Sequence, residues 1–172
     1  MPPVEVVRTY LEMTRADALR GIPFRDPQTR VRRLAPDAVA EYRQLYREVG
    51  ERWYWHDRLA WSDEQLAAYL ASPDVAVFEL LVADESAGYF ELRRHPNDVE
   101  IAYFGLVPRF IGRGLGGALL TRAAQEAWTL GTRRVWLHTC TLDSPHALPN
   151  YLARGFREFK TERFTVDMAQ PA

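Results

Sequence analysis

The stretch that decides the fold is Val107-Pro-Arg-Phe-Ile-Gly-Arg-Gly-Leu-Gly-Gly-Ala-Leu-Leu120, where a predicted strand ends and a long predicted helix begins. Gly112, Gly114 and Gly116 alternate across this junction. Glycine lets a backbone turn sharply and approach a ligand closely because it has no Cβ atom. The first N–H groups of a helix lack partners inside the helix and carry partial positive charge. The stretch is therefore predicted to bind a phosphate or pyrophosphate, with Arg109 and Arg113 adding positive charge.

The glycine spacing alone leaves more than one class of protein open. Gly112-x-Gly114-x-x-Gly117 also fits the fingerprint of dinucleotide-binding oxidoreductases. In those proteins the loop comes early and is followed by several strand–helix units of a parallel sheet. Here only one strand, one short helix and a tail follow the long helix, and the strands before the loop have the short connections of an antiparallel meander. This order argues against such an oxidoreductase.

The composition is that of one globular domain. The chain has 172 residues, of which 47% are hydrophobic and 26% are charged, a balance typical of folded proteins. The formal net charge is −1 and the arginines are scattered, so we expect no nucleic-acid partner. The single cysteine, Cys140, excludes a disulfide framework within the chain, and the histidines lack metal-ligand spacing. Without a signal-peptide profile or a long apolar run, a cytoplasmic protein with no membrane partner is expected.

The order of predicted elements indicates an α/β (α+β) fold, with helices on both faces of a mixed, mostly antiparallel central sheet. A strand at residues 4–13, an irregular segment at 14–28 and a short strand at 29–34 come first. Two helices follow, one opening at Pro36 and ending at Gly50, the other capped by Ser62 and running to Leu70. Three strands at 75–83, 89–93 and 99–107 precede a helix at 113–130, a strand at 134–141, a helix at 145–154 and a last strand containing Phe164.

Three motifs, in their order and separation, resemble the GCN5-related N-acetyltransferases (GNAT). They are Val99-Glu-Ile-Ala-Tyr-Phe-Gly-Leu-Val-Pro108, Ile111-Gly-Arg-Gly-Leu-Gly-Gly-Ala-Leu-Leu120 and Ala147-x-x-x-Tyr151-x-x-x-Gly155-Phe156. The resemblance implies a single N-acetyltransferase domain at residues 1–172, with a core at 29–168 and an N-terminal extension at 1–28 that carries an extra strand. It also implies a sheet that splays open after its fourth strand. The sequence leaves open whether the extra strand extends this sheet or meets a second copy in a homodimer.

The resemblance further implies acetyl-coenzyme A as the cofactor. In the family, pantetheine lies in the splay and the pyrophosphate sits on the glycine loop. Family members usually have Gln or Arg before the first glycine, where this chain has Ile111, and Arg109 is the nearest basic residue upstream. Ser144 falls where the family often has a cofactor-binding Asn, or else it caps the next helix. The implied cofactor-binding residues are Phe104, Gly105, Leu106, Val107, Arg109, Gly112, Arg113, Gly114, Leu115, Gly116, Gly117 and Ser144.

The implied reaction moves an acetyl group to a primary amine of a small molecule or peptide by direct transfer in a ternary complex. The amine must first lose its proton, and Glu100 is the implied base, acting through water. A structural carboxylate is the alternative for Glu100, and His138 is the other candidate base. Tyr151 is the implied acid for the departing thiolate, and a buried packing residue is its alternative. Pro149, two residues earlier, could distort the helix that carries Tyr151.

The acceptor is predicted to bind at an aromatic run in the segment between the first two helices, which lines the acceptor pocket in the family. The run consists of Trp53, Tyr54, Trp55 and His56. Aromatic faces attract cations, and an amine arrives as one; ordinary core packing is the alternative. A second functional class also stays open, a GNAT-like module that binds acyl-coenzyme A without turnover.

Overall fold

The computed structural model describes residues 2–168. The strands are β1 (Val4–Met13), β2 (Thr29–Arg33), β3 (Val75–Val82), β4 (Glu85–Arg94), β5 (Val99–Leu106), β6 (Val135–Cys140) and β7 (Arg157–Val166). The helices are α1 (Val39–Gly50), α2 (Asp63–Leu70), α3 (Leu115–Trp128) and α4 (Ala147–Ala153). Short 3-10 helices lie at Ala16–Ala18, Glu51–Trp53 and Pro108–Phe110. The predicted mixed α/β fold is confirmed.

The seven strands form one sheet in the order β2-β3-β4-β5-β6-β1-β7. All neighbouring strands run antiparallel except β5 and β6, which are parallel. β5 and β6 pair only at Val99↔Val135 and Glu100↔Trp136. Beyond Glu100 the two strands separate, so the rest of β5 has no strand partner on that side. This separation is the predicted splay, and it follows the fourth strand in the order of the sheet.

The first strand of the chain lies inside the sheet. β1 pairs with β6 on one side and with β7 on the other. Arg8 lies opposite Cys140 on β6 and Glu162 on β7, and Tyr10 lies opposite His138. The extra strand therefore extends the sheet, and it does so by insertion between two strands that come much later in the chain.

The predicted start of α2 is confirmed. Ser62 Oγ accepts a hydrogen bond from the Gln65 N–H at 3.1 Å, and Gln65 Oε1 accepts one from the Ser62 N–H at 2.9 Å, which is a capping box. The predicted start of α1 at Pro36 is three residues early. Residues 35–38 form a turn instead, in which the Ala38 N–H donates to the Ala35 carbonyl at 3.0 Å.

The connection between β3 and β4 is tighter than predicted. Ala83 and Asp84 both have positive φ, 49° and 65°, the backbone pattern of a two-residue hairpin turn that matches the twist of its strands. β4 therefore begins at Glu85 rather than at residue 89. The sequence predicted a strand that ends at residue 83 and another that begins at residue 89. This connection was predicted too long because the turn Ala83-Asp84 lacks the glycine that usually marks this turn type.

One hydrophobic core lies between the sheet and its helices. α3 buries an apolar face against it, including Leu119, Leu120 and Ala123. On β1 and β6, alternate side chains enter this core: Leu11, Met13, Val135 and Leu137. The opposite face of the same strands carries Arg8, Tyr10, Trp136 and His138, none of which is buried. Among the described residues, no helix combines the length and the apolar character that crossing a membrane requires.

Candidate active site

A cavity of about 750 Å³ opens where β5 and β6 separate. Its walls come from the end of β5, the glycine loop, the segment between α1 and α2, the start of α4, and strands β1, β6 and β7. Most of the predicted site residues line it together: Trp53, Tyr54, Trp55, His56, Glu100, Phe104, Gly105, Leu106, Gly112, Gly114, Leu115, Gly116, Gly117, Ser144 and Tyr151.

Three residues predicted to bind the cofactor do not line the cavity. Arg109 is exposed, its Nη2 lies 3.3 Å from Glu85 Oε2, and its guanidinium sits over the Phe110 ring. Arg113 is also exposed and lies over the same ring, at 5.0 Å from the centroid. Val107 is buried in the core. The arrangement therefore gives no support to Arg109 as a replacement for the side chain usual before the first glycine.

The glycine loop leaves the start of α3 open. Gly112 and Gly114 have φ of +83° and +75°, and Gly114 is the N-cap residue of this 14-residue helix. A Cβ atom at either position would meet no atom within 4 Å, so the backbone conformation selects glycine, not crowding. No side chain caps the helix and its first turn holds no acidic residue. Its first N–H groups are free for an anion, and the loop fits a pyrophosphate.

The unpaired edge of β5 supplies the second half of a cofactor site. Past Glu100, the backbone N–H and C=O groups on the β6 side have no strand partner. An extended ligand with amide groups can pair with such an edge as an added strand would. Gly105 lets α1 pack close behind this edge, because a Cβ atom there would lie 2.5 Å from Val49 Cγ1. The edge therefore fits the pantetheine arm of coenzyme A.

Helix α4 carries Tyr151 to the cavity. The helix begins at Ala147, so Pro149 lies in its first turn, where a backbone N–H has no acceptor within the helix. The distortion considered from the sequence is therefore absent. Asn150, which the sequence analysis did not single out, donates from Nδ2 to the Gly116 carbonyl at 3.2 Å and ties α4 to α3. The Tyr151 ring packs edge-on against Phe104, with centroids 6.1 Å apart.

The Tyr151 hydroxyl is held in its protonated form. Burial, and after it the negative charge of Asp143, raises the pKa of Tyr151 above its usual value. A phenol whose pKa is raised stays neutral at physiological pH. Tyr151 is therefore in the protonated state that a proton donor requires.

Ser144 is not the cap of α4. His146 occupies the N-cap position, two residues later than the sequence predicts. The Ser144 Oγ instead accepts a hydrogen bond from the His146 N–H at 3.2 Å in the preceding turn. Its side chain lies on the cavity wall, where a cofactor contact remains a prediction.

Glu100 stands at the point where β5 and β6 part. Its side chain is 14% exposed, and Oε1 lies 2.9 Å from His95 Nε2. The position on the cavity wall agrees with a base, and the bond to His95 agrees with a structural carboxylate.

His138 reaches solvent through the same cavity. The cavity walls desolvate its ring and, with the positive charge of Arg8, lower the pKa of His138, whereas Glu100 and Asp143 raise it.

The aromatic run divides between packing and exposure. Trp55 packs against Tyr46, Tyr89 and Tyr103, with the Tyr103 centroid at 4.9 Å. Gly50 permits this packing because a Cβ atom there would clash with the Trp55 ring. Tyr54 is half exposed and has φ of 61°. All four members of the run line the cavity, and Tyr54 is the most exposed of them.

A buried charged cluster beside the cavity was missed by the sequence analysis. Glu91 on β4 is fully buried, and Arg58, from the segment between α1 and α2, is 8% exposed. Arg58 Nη1 lies 2.6 Å from both carboxylate oxygens of Glu91. The hydroxyls of Tyr42 and Tyr69 donate to the same carboxylate at 2.6 and 2.5 Å. The available signal was a single acid in the apolar run of β4, and the cluster fastens the segment between α1 and α2 to the sheet.

The sequence profile of the acetyltransferase (GNAT) family matches residues 37–156, which is more than half of the chain. Together with the splayed sheet and the open glycine loop, this match defines the class of protein as an acetyltransferase. The chain belongs to the GNAT family, whose members use acetyl-coenzyme A. A comparison with curated protein sequences gives no match.

Solved structures of acetyltransferases share the fold. A GCN5-related N-acetyltransferase from Sphaerobacter thermophilus has a TM-score of 0.71 at 16% identity, with 99% of this chain and 56% of that chain covered. An aminoglycoside acetyltransferase from an uncultured soil metagenomic sample, in complex with sisomicin, has a TM-score of 0.64 at 18% identity, covering 74% and 87%. The ribosomal-protein-S18-alanine N-acetyltransferase from Escherichia coli has a TM-score of 0.61 at 17% identity, covering 77% and 79%. This chain therefore spans little more than half the length of the Sphaerobacter protein.

Proposed function

We propose that the protein is an acetyl-coenzyme A-dependent N-acetyltransferase, which acetylates a primary amine of a small molecule or peptide by direct transfer in a ternary complex. The observation that carries the proposal is that one cavity joins the open start of α3, the unpaired edge of β5, Glu100 and Tyr151. Membership of the GNAT family supports the acyl donor. The aminoglycoside acetyltransferase and the ribosomal-protein acetyltransferase show that this fold serves acceptors of different size.

The cofactor would be held by backbone groups more than by side chains. When bound, acetyl-coenzyme A supplies the acetyl group as an activated thioester. The N–H groups of residues 114–117 would bind its pyrophosphate, and the edge of β5 at residues 104–106 would bind its pantetheine arm. Ser144 and Asn150 border the same space. A backbone N–H of this edge would also stabilise the carbonyl oxygen as it gains charge.

Two side chains would move the protons. An ammonium has no lone pair, so Glu100 would remove a proton from the acceptor through a water molecule. Tyr151, neutral at physiological pH, would donate its phenolic proton to the departing sulfur and recover a proton from solvent. Trp53, Tyr54 and His56 would hold the acceptor against the opening of the cavity.

Thermal unfolding in the presence of acetyl-coenzyme A, coenzyme A and NADH tests the cofactor. Ligand at a hundredfold over its dissociation constant stabilises a protein by about 2.7 kcal/mol, which corresponds to roughly 5–10 °C for a domain of this size. We expect this shift from both forms of coenzyme A and none from NADH. A shift with NADH alone would overturn the assignment.

Release of free thiol from acetyl-coenzyme A in the presence of a broad amine panel tests turnover. A module that binds acyl-coenzyme A without turnover would give the thermal shift but no release of thiol with any amine. An N-acetyltransferase releases thiol in proportion to the acetylated amine, which mass spectrometry identifies.

A further inference from the structure

The inserted strand β1 contributes a cation to the wall of the cavity. Val6 and Arg8 of β1 line the cavity together with Phe164 of β7 and His138 of β6. Arg8, His138 and Glu100 lie on the same face of the sheet. Residues that pair directly share a face, and Arg8 pairs with Cys140 while Glu100 pairs with Trp136. Cys140 and Trp136 lie two residues after and two residues before His138 on β6, so all of these side chains share its face. A ligand lying on this face meets Glu100 and Arg8 in one space.

The charge of Arg8 is poorly matched by the protein. Its nearest carboxylate is that of Glu162, with Nη1 and Oε2 3.8 Å apart, which is too long for a hydrogen bond. Glu162 is already engaged, since its Oε1 lies 2.8 Å from Lys160 Nζ and its Oε2 accepts from the Tyr10 hydroxyl at 3.1 Å.

The Arg8 guanidinium is also incompletely hydrogen-bonded. Its Nε is buried and has no hydrogen-bond partner among the described residues, and its carbon lies 4.8 Å from the centroid of the Phe164 ring. A buried donor without an acceptor costs free energy, but a ligand in the cavity cannot reach the buried Nε. The side chain as a whole is 34% exposed, so an anion would bind at its terminal nitrogens. The Arg8 guanidinium therefore lies against an aromatic ring and can still donate hydrogen bonds to an anion.

We propose that Arg8 binds a carboxylate of the acceptor, so that the substrates are amines that also carry a carboxylate, such as amino acids and short peptides. The inference rests on the proposed function and deepens it by naming the class of acceptor. A guanidinium offers two parallel N–H donors that match the geometry of a carboxylate. In the same acceptor molecule, Glu100 at the splay would take the proton from the ammonium group, and Arg8 would bind the carboxylate group.

The register of the sheet indicates the length of such an acceptor. Four residues along β6 and two strand spacings separate the two positions, so their Cα atoms are roughly 16 Å apart in a regular sheet. Both residues line the cavity, and the Arg8 guanidinium lies over the Phe164 ring of β7, on the side of β1 away from β5. The spacing favours amines whose carboxylate is several bonds away, such as dipeptides and ω-amino acids, over α-amino acids.

Matched pairs of acceptors test the proposal. Each carboxylate compound is compared with its amide: glycylglycine, 4-aminobutyrate and L-phenylalanine. For the wild type we expect kcat/KM to be higher for at least one acid than for its amide, on the order of 10- to 100-fold, mainly through KM. In Arg8→Gln we expect that ratio to fall close to one, because the acid loses more affinity than its amide does when the guanidinium is removed. Comparing the ratio between variants cancels the different amine pKa values of acid and amide.

Arg163→Gln is the matched control. Arg163 lies on β7, pairs with Glu5 at 2.9 Å and does not line the cavity, so this variant should keep the wild-type preference. The proposal is overturned if the wild type prefers no acid over its amide, or if Arg8→Gln keeps the preference. Arg8→Lys retains the charge without the paired donors and should keep only part of the preference, which provides a second variant if Arg8→Gln fails to fold.

A binding measurement separates this inference from the proposed function. The melting temperature of the wild type, saturated with coenzyme A, is measured with each acid and each amide. A shift with the acid and not with the amide, reduced in Arg8→Lys and lost in Arg8→Gln, supports the carboxylate site even if no amine is acetylated. Turnover of amines without any such difference supports the N-acetyltransferase and rejects the carboxylate site.

Discussion

Tyr151 and Tyr89 are both buried, and their hydroxyls face different surroundings. Tyr151 lines the cavity, whereas the Tyr89 hydroxyl is buried without a hydrogen-bond partner among residues 2–168 and lies outside the cavity lining. If Tyr151 is the acid, Tyr151→Phe should lower kcat on the order of 100-fold and leave the coenzyme A thermal shift nearly intact. Because the pKa of Tyr151 is raised, we also expect no fall in kcat from its ionisation as the pH rises from 7 toward its usual value near 10.

Tyr89→Phe is the control for this substitution. It removes a hydroxyl that has no partner, so kcat should be unchanged and the free energy of unfolding should be unchanged or higher. Equal losses of turnover and of coenzyme A binding in Tyr151→Phe would instead indicate a packing role for Tyr151.

Glu100 and His95 allow the two interpretations of Glu100 to be separated. If Glu100 is the base, Glu100→Gln should lower kcat/KM on the order of 100-fold and remove the acidic limb of the pH profile. His95→Gln, which changes the partner of Glu100 but keeps its carboxylate, should then retain most of the activity. Equal losses of activity and of melting temperature in the two variants would indicate a structural pair.

At the scale of single residues, the sequence predicted which residues line the cavity better than it predicted which side chains contact each other. Glu100 and Tyr151 were placed by motif, and both line the cavity. Arg8 was not singled out from the sequence, because its surroundings depend on Phe164 and Glu162, which are brought beside it by folding. Arg109 looked suitable by its spacing, yet its guanidinium turns to Glu85. Side-chain partners across the sheet cannot be inferred from local spacing.

The glycine loop gives a prediction at the scale of the element, with a control elsewhere in the chain. Gly114 and Gly131 have nearly the same positive φ, 75° and 74°, and a Cβ atom at either would meet nothing within 4 Å. Alanine at either position should therefore lower the free energy of unfolding similarly, by about 1–2 kcal/mol. Only Gly114→Ala should weaken the coenzyme A shift, because Gly131 lies outside the cavity lining. Equal weakening in both variants would argue against the loop as the anion site.

The Arg58–Glu91 cluster predicts how the acceptor segment is anchored. Arg58→Met leaves the fully buried Glu91 carboxylate without its cation, and should lower the free energy of unfolding by about 3–5 kcal/mol. The double change Arg58→Met and Glu91→Leu should recover part of this loss, because neither charge of the pair remains, although the Tyr42 and Tyr69 hydroxyls lose their acceptor. Arg30→Gln, at the exposed pair with Asp84, should cost about 1 kcal/mol or less. Urea unfolding measures all three.

Failure of the double change to recover stability would show that the cluster acts through packing of its aromatic partners rather than through its charges. A double variant that is stable but has a raised KM for the amine would show that the cluster fixes the acceptor segment for binding.

The boundaries of elements that carry a clear local sequence signal were predicted closely. The boundaries of elements without such a signal were predicted a few residues away from their true positions. The capping box set the start of α2, since both of its partners are three residues apart. The start of α4 was predicted two residues early, because Ser144 followed by proline has the local pattern of a cap although the helix forms from Ala147. The β3–β4 turn uses Ala83 and Asp84 in a conformation that these residue types rarely signal.

The place of β1 gives the prediction for the whole molecule. We expect that a chain lacking residues 2–13 does not fold cooperatively, because β7 pairs only with β1 among the described strands and β6 keeps just its short pairing with β5. Deleting only residues 2–3, which precede the strand, should have little effect. Circular dichroism during thermal unfolding measures both chains.

A shortened chain that unfolds cooperatively and still binds coenzyme A would contradict this expectation. It would show that residues 29–168, the core of the single domain predicted from the sequence, fold without the N-terminal extension. The sequence predicted the strand at residues 4–13 and the splay of the sheet, but not that β1 enters the sheet between β6 and β7. Strand order depends on pairings between distant parts of the chain, for which local patterns carry no information.

The insertion of β1 also sets an order of events during synthesis. β2, β3, β4 and β5 are linked largely through neighbouring hairpins and can pair as they emerge from the ribosome. β1 emerges before all of them, yet its two partners begin at Val135 and Arg157. Contacts between such distant segments form slowly, so we expect β1 to wait unpaired until β6 and β7 have been made. The wall that carries Arg8 is therefore the last part of the cavity to form.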